Sequence, residues 1–175
     1  EQRIRRGAPC KLKACLVGSY SYLLLLLEKI MANYKGYFKP KNPQKYKGDP
    51  NNIICRSSWE RRFCNWCDLN ESIISWGSEE FFIPYYNPAK ERVCRYFPDF
   101  IAKMRLKDGK VMTYVIEVKP EHQTKQPVRK RKTQKFINEQ VTYIVNQSKW
   151  KAADEFCHEH GWKFMVVTEK ELGLY

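Results

Sequence analysis

The spacing of apolar positions changes several times along this chain, and each change predicts an element. After Ser57-Ser58, a pair suited to capping a helix, Trp59, Phe63, Trp66, Cys67 and Leu69 recur at helical intervals. Ile73 to Trp76 and Glu80 to Tyr85 then read as short strands, and Pro84 keeps the second near an edge or an end. Residues 95 to 120, RYFPDFIAKMRLKDGKVMTYVIEVKP, alternate with period two around Lys107-Asp108-Gly109, which is a hairpin pattern. The segment FINEQVTYIV continues as helix, Ser148 to His160 as a second helix stopped by Gly161, and Trp162 to Val167 as a strand beside the hairpin. Together these elements predict an α/β fold, a mixed central sheet flanked by helices.

The length of the hairpin loop decides which polar side chains meet. A two-residue loop at Asp108-Gly109 pairs positions whose numbers sum to 217, and Asp99 then faces Val118. A three-residue loop with Gly109 in the left-handed conformation makes the sum 216, and Asp99 faces Glu117. In that register Phe100, Ala102, Met104, Leu106, Met112, Tyr114, Ile116 and Val118 form a core face. The opposite face carries Asp99, Ile101, Lys103, Arg105, Thr113, Val115, Glu117 and Lys119, so the polar chemistry collects there.

Two carboxylates opposed about 4 Å apart repel by on the order of 4 kcal/mol at an effective dielectric near 20. Either one takes a proton or a cation lies between them. Oxygen donors in a basic protein favour magnesium, with manganese an alternative. Lys119, two residues beyond Glu117, shares its face and is placed to hold a water or offset charge on a phosphorane. A purely structural arrangement would instead pair Lys119 with one acid and Arg95 with the other.

Charge and composition narrow the partners. The chain has 175 residues, long enough for one cored domain, with 32 Lys and Arg against 19 Asp and Glu and a formal charge of +13. Such a balance points to nucleic acid phosphate, and 43% hydrophobic and 14% aromatic residues exclude a disordered basic tail. The run from Lys125 to Lys135, with Arg129, Lys130, Arg131 and Lys132, is a candidate phosphate clamp in which Arg129, Lys132 and Lys135 would share one helical side. Lys35 and Lys39 lie in a second basic segment, residues 34 to 50, whose interleaved tyrosines and prolines predict an extended arm. No base-reading module is visible, so DNA binding independent of sequence is expected.

Seven cysteines at irregular spacing do not form a disulfide framework and suit a reducing compartment. Cys64-Asn65-Trp66-Cys67 with Cys157-His158-Glu159-His160 would be a zinc site only if a second CxxC half existed, so zinc is not expected. Residues 1 to 30 behave as a leader outside the domain, a translated upstream region or an expression remnant. Arg3, Arg5 and Arg6 precede an apolar run from Ala14 to Leu27 that falls short of the about 20 residues a membrane span takes. A membrane anchor is the rival reading of that run. The organisation expected is therefore a leader at 1 to 30, a basic aromatic arm at 31 to 50 and a domain at 51 to 175, with no membrane span from 31 onward.

The ordered set RSSWE, PDF and IEVK, carrying Glu60, Asp99, Glu117 and Lys119, resembles the signature of the PD-(D/E)XK nucleases and their restriction-endonuclease-like fold. With YKGYFKPKNPQKYKGDPNNI, RYFPDF and IEVKP, the chain from Met31 onward is similar to the head-completion nucleases of T-even type tailed phages, relatives of the TnsA-type endonucleases. That resemblance implies a magnesium-dependent deoxyribonuclease acting on DNA ends after packaging. It also implies portal, neck or head proteins as partners, and a location in the host cytoplasm or the virion head. Asp99, Glu117 and the Val118 backbone carbonyl would bind the metal, Glu60 would reach it directly or through a water, and Lys119 would position the attacking water. The alternatives are a catalytically silent DNA-binding head-completion part and a TnsA-like transposition or repair nuclease. Gln140-Val141-Thr142-Tyr143 is one residue too short for the Gln-x-x-x-Tyr of the exonuclease branch, which disfavours that branch.

Overall fold

A computed structural model of the chain describes residues 36–128 and 133–170. The basic segment of the arm is built into the body, because its aromatic residues have apolar partners. Strand β1 (Gly36–Phe38) pairs antiparallel with β2 (Ile53–Cys55), and a single 3-10 turn (Pro43–Lys45) lies between them. Phe38 and Tyr46 are buried, with ring centroids 6.0 and 4.8 Å from that of Trp76. The expected extended arm is thus replaced, from Gly36 onward, by short elements packed on the core.

Helix α1 (Ser58–Leu69) starts where predicted, with Ser57 as its cap. Asp68 near its end is fully buried and ties down the arm: its carboxylate accepts from the Lys41 amide at 2.8 Å and the Asn42 amide at 3.0 Å. Its carbonyl also accepts from Lys45 Nζ. Strand β3 (Ile73–Ser78) follows, and then β4 (Ile83–Asn87) and β5 (Arg92–Tyr96), which pair as a separate two-stranded ribbon. The second predicted strand therefore begins at Ile83 and not at Glu80, because Glu79 adopts φ +54° and turns the chain first. Strand β5 escaped the sequence reading altogether. Its turn has no glycine; Asn87 closes it by accepting from the Ala89 and Lys90 amides.

The hairpin is formed by β6 (Phe100–Arg105) and β7 (Val111–Val118). Gly109 at φ +81° donates to the Leu106 carbonyl at 3.0 Å, and the Leu106 amide donates to the Lys110 carbonyl at 2.7 Å. The loop thus has three residues, and the ladder runs from Arg105↔Val111 to Phe100↔Ile116 in the 216 register. A short helix α2 (Glu121–Thr124), the long helix α3 (Gln134–Glu159) and strand β8 (Lys163–Val167) complete the chain. The two C-terminal helical patterns are one 26-residue helix, since nothing between Val145 and Ser148 breaks it and Asn146 is buried.

The four-stranded sheet has the order β3-β6-β7-β8, antiparallel except for the last pair. Alternation along β7 feeds two cores. Ile116 and Val118 join Phe100, Ala102, Trp76 and the α1 residues Phe63, Cys64 and Cys67 on one face. Val115 joins Ile83, Tyr85, Tyr96, Ala153 and Cys157 on the other, beneath α3 and the ribbon. The second face is therefore not simply polar, as the hairpin alone suggested: its middle is core, and its acids lie at one end. Helices on both faces of a mixed sheet are the architecture expected from the sequence. Among the described residues no helix is long and apolar enough to cross a membrane, and the run from Ala14 to Leu27 lies outside them.

Replacing Asp68 by alanine leaves two backbone donors of the arm without their acceptor. Stability measured by urea unfolding should fall by about 2 kcal/mol, with little change in a variant at the exposed Lys39.

Candidate active site

At one end of β6 and β7 the register brings together the acids singled out above. Phe100 pairs with Ile116, so Asp99, one residue before the strand, lies across from Glu117. Asp99 Oδ2 accepts from the Val118 amide at 2.8 Å, which fixes the side chain against β7. Lys119 Nζ stands 3.0 Å from Glu117 Oε1 and 3.8 Å from Asp99 Oδ2, and its own amide donates to the Val167 carbonyl of β8. Arg95, the cation a structural arrangement would have used for the second acid, is elsewhere, 4.7 Å from the Phe82 ring centroid.

Two carboxylates thus share one ammonium in a site closed enough that Glu117 is 3% exposed. Burial, followed by the neighbouring Glu117 charge, pushes the Asp99 carboxyl up to about 7, against the opposing pull of Lys119 and the Val118 amide. Burial alone would lower the Lys119 ammonium, but Asp99 and Glu117 outweigh it and hold its pKa above the ordinary value. Lys119 therefore stays a cation. The excess negative charge and the all-oxygen donor set fit a hard divalent ion.

Tyr96 is a site residue that sequence reasoning missed. Its hydroxyl donates to Glu117 Oε2 at 2.7 Å, while Lys119 holds the other oxygen, so Glu117 is gripped from both sides. Burial and then the Glu117 charge push the Tyr96 phenol far up, keeping it protonated as a donor. The signal was available only through the pairing of β4 with β5, which turns Tyr96 inward beside Ile83.

Glu60 is half-buried in the first turn of α1 and is occupied locally. Oε1 accepts from Ser57 Oγ at 2.9 Å and Oε2 from the Arg56 amide at 2.8 Å, while Ser57 Oγ caps the Glu60 amide. Its charge still reaches the site, adding to the upward shifts of Asp99 and Lys119. Among the described residues no three His, Cys, Asp or Glu side chains gather closely enough to hold a metal by themselves.

The basic candidates divide. Lys35 and Arg129, Lys130, Arg131 and Lys132 lie outside the described residues. Lys39 is exposed, and Lys135 is exposed in the first turn of α3, just after its Thr133 cap. Lys125 is exposed and ion-paired with Glu121 at 2.7 Å. Lys125 and Lys135 line one groove of about 790 Å³ that also holds His122, Asn138 and Tyr143. Gln140 donates to the Pro127 carbonyl at 2.6 Å, a local tie for the segment after α2. Cys64 and Cys67 face the core from α1, whereas Cys157 lies in the core on the other side of the sheet, so the CxxC and the Cys-His-Glu-His run do not meet.

A family model described as TnsA-like endonuclease N terminal matches residues 70–169, which include Asp99, Glu117 and Lys119 but not Glu60. The head completion nuclease of Enterobacteria phage T4 is 41% identical over 144 residues, 79% of this chain and 93% of that protein. The chain belongs to the TnsA-like endonuclease family. It is accordingly a DNA nuclease with a restriction-endonuclease-like fold, and the Asp99, Glu117 and Lys119 constellation lies within the family-matched region. No solved structure matches the chain.

The raised Asp99 carboxyl makes a signed prediction for the metal-free protein. Its unfolded value near 3.9 lies below its folded value of about 7, so its protonation supports the fold fully below about pH 4. That support is lost progressively up to about pH 7. Asp99→Asn should therefore gain stability relative to the parent across this window by roughly 2 to 4 kcal/mol, and no further above it. Urea unfolding in a chelator at several pH values measures the gap; a pH-independent difference would contradict the assignment.

Proposed function

We propose that this chain is a magnesium-dependent DNA endonuclease of the PD-(D/E)XK type that processes DNA ends during phage head completion, after packaging. The observation that carries the chemistry is the convergence of Asp99 and Glu117 on Lys119, whose Nζ stands 3.8 Å from the first and 3.0 Å from the second. The biological setting comes from the T4 relative's description as a head completion nuclease. In that setting the protein meets portal, neck or head proteins, in the host cytoplasm or in the virion head.

Asp99, Glu117 and the Val118 carbonyl would hold the magnesium or manganese ion, with Glu60 acting through a water. Bound there, the ion would acidify a water and polarise a phosphoryl oxygen. The protein's own contribution is positional. Lys119 positions the attacking water and offsets charge as the phosphorane forms. Tyr96 keeps Glu117 in one orientation. Lys39 and Lys135 offer exposed cations to the DNA backbone, binding it without reading bases.

Supercoiled plasmid and end-labelled linear duplex, incubated with magnesium, manganese or chelator, test this reading. The parent should cut with metal and not with chelator, and Asp99→Ala or Lys119→Ala should abolish cutting while retaining most DNA affinity. Binding without cutting under every condition would instead favour a silent head-completion part. For Tyr96→Phe, activity should fall by about 10- to 100-fold and recover in part at higher metal concentration. A pure folding defect would show no such metal dependence.

A further inference from the structure

We propose that the outer face of the β4–β5 ribbon is a stacking platform for unpaired bases at a DNA strand end, held beside the Asp99–Glu117 site. The proposal rests on the nuclease reading above and names its substrate class: DNA ends bearing single-stranded nucleotides. Ile83, Tyr85 and Tyr96 turn inward to the core, and the ladder pairs of the opposite face are Pro84↔Arg95 and Tyr86↔Val93. Phe82 and Phe97 flank the Ile83↔Tyr96 pair at the root of the ribbon, 45% and 47% exposed with ring centroids 5.9 Å apart. The Arg95 guanidinium sits 4.7 Å from the Phe82 centroid, joining a cation to the aromatic pair.

Phosphate alone gives these rings no reason to be exposed, since it needs cations and not π faces. An intact duplex offers its base edges and backbone, while its base faces are stacked on one another. An unpaired base frees both of its faces for an aromatic ring, with its phosphate then near the guanidinium. The charges of the ribbon agree: Lys90, Arg92 and Arg95 outnumber Glu91, which lies in the turn at the far tip.

Location links the platform to the chemistry. Phe97 is two residues before Asp99, so their Cα atoms are at most about 7.6 Å apart. On the other side, Ser78 pairs with Phe100 and the Glu79 amide donates to the Asp99 carbonyl at 3.3 Å, three residues before Phe82. The chain before Asp99 and the chain after Glu79 both lead to the aromatic pair. A base stacked there lies within roughly one or two nucleotide spacings of the Asp99 backbone.

The test uses the full chain in a chelator, with duplexes that are blunt or carry a short single-stranded overhang containing 2-aminopurine. The parent should bind the overhang duplex more tightly and quench its fluorescence. In Phe82→Leu/Phe97→Leu, which keeps apolar area but removes the rings, overhang affinity should drop about tenfold or more, and the quenching should disappear. Affinity for blunt duplex should change less than twofold. No quenching by the parent, equal losses on both DNAs, or no loss on either would overturn the platform, the last pointing to a protein partner for this face. Because binding is read without cleavage, these outcomes leave the nuclease reading standing, and that reading fails separately if the parent never cuts with metal.

Discussion

Two acids held together at the end of one β-ladder, sharing a single ammonium, are the constraint on which the rest of this structure turns. Nothing in the local chemistry of a strand pair favours such an arrangement, since each carboxylate raises the cost of ionising the other. It persists because the surrounding fold overdetermines it: the Gly109 turn sets the register, the Val118 amide holds Asp99, and Tyr96 and Lys119 grip Glu117 from either side. The cores on both faces of the sheet supply the stability that the acids oppose. Violation of a local rule in a chain that otherwise obeys such rules is what singles out this cluster as the candidate site.

Much of this was legible from the order of residues. The hairpin register followed from one glycine and one alternation pattern, because a slip of one position would send Phe100, Ala102, Ile116 and Val118 to the wrong face. Asp99, Glu117 and Lys119 then fell together by arithmetic, and the α1 cap followed from Ser57. What stayed hidden depends on contacts between distant segments. The inward turn of Tyr96 needs the β4–β5 ribbon, whose glycine-free turn gives no strong signal. The arm read as loose because its lysines and prolines dominate its composition, whereas Phe38, Tyr46 and the buried Asp68 acceptor decide its placement.

Glu60 shows where sequence and geometry part in a more instructive way. The position matches the motif, and its charge is felt at the site, yet its oxygens serve the helix end. One side chain thus satisfies a local demand of α1 and contributes to the field at the carboxylates. Fold stability and site electrostatics are coupled at that residue, so a substitution there changes both.

The dependence of β7 on β8 has a consequence in time. Lys119 has its backbone pinned by the Val167 carbonyl, and β7 pairs along its C-terminal half with β8, a strand that follows only after the whole of α3. A polypeptide still emerging from the ribosome can form the hairpin, but it cannot yet fix the lysine beside the acids. The candidate site is therefore assembled only after α3 and β8 have been made, later in synthesis than the hairpin that carries its acids.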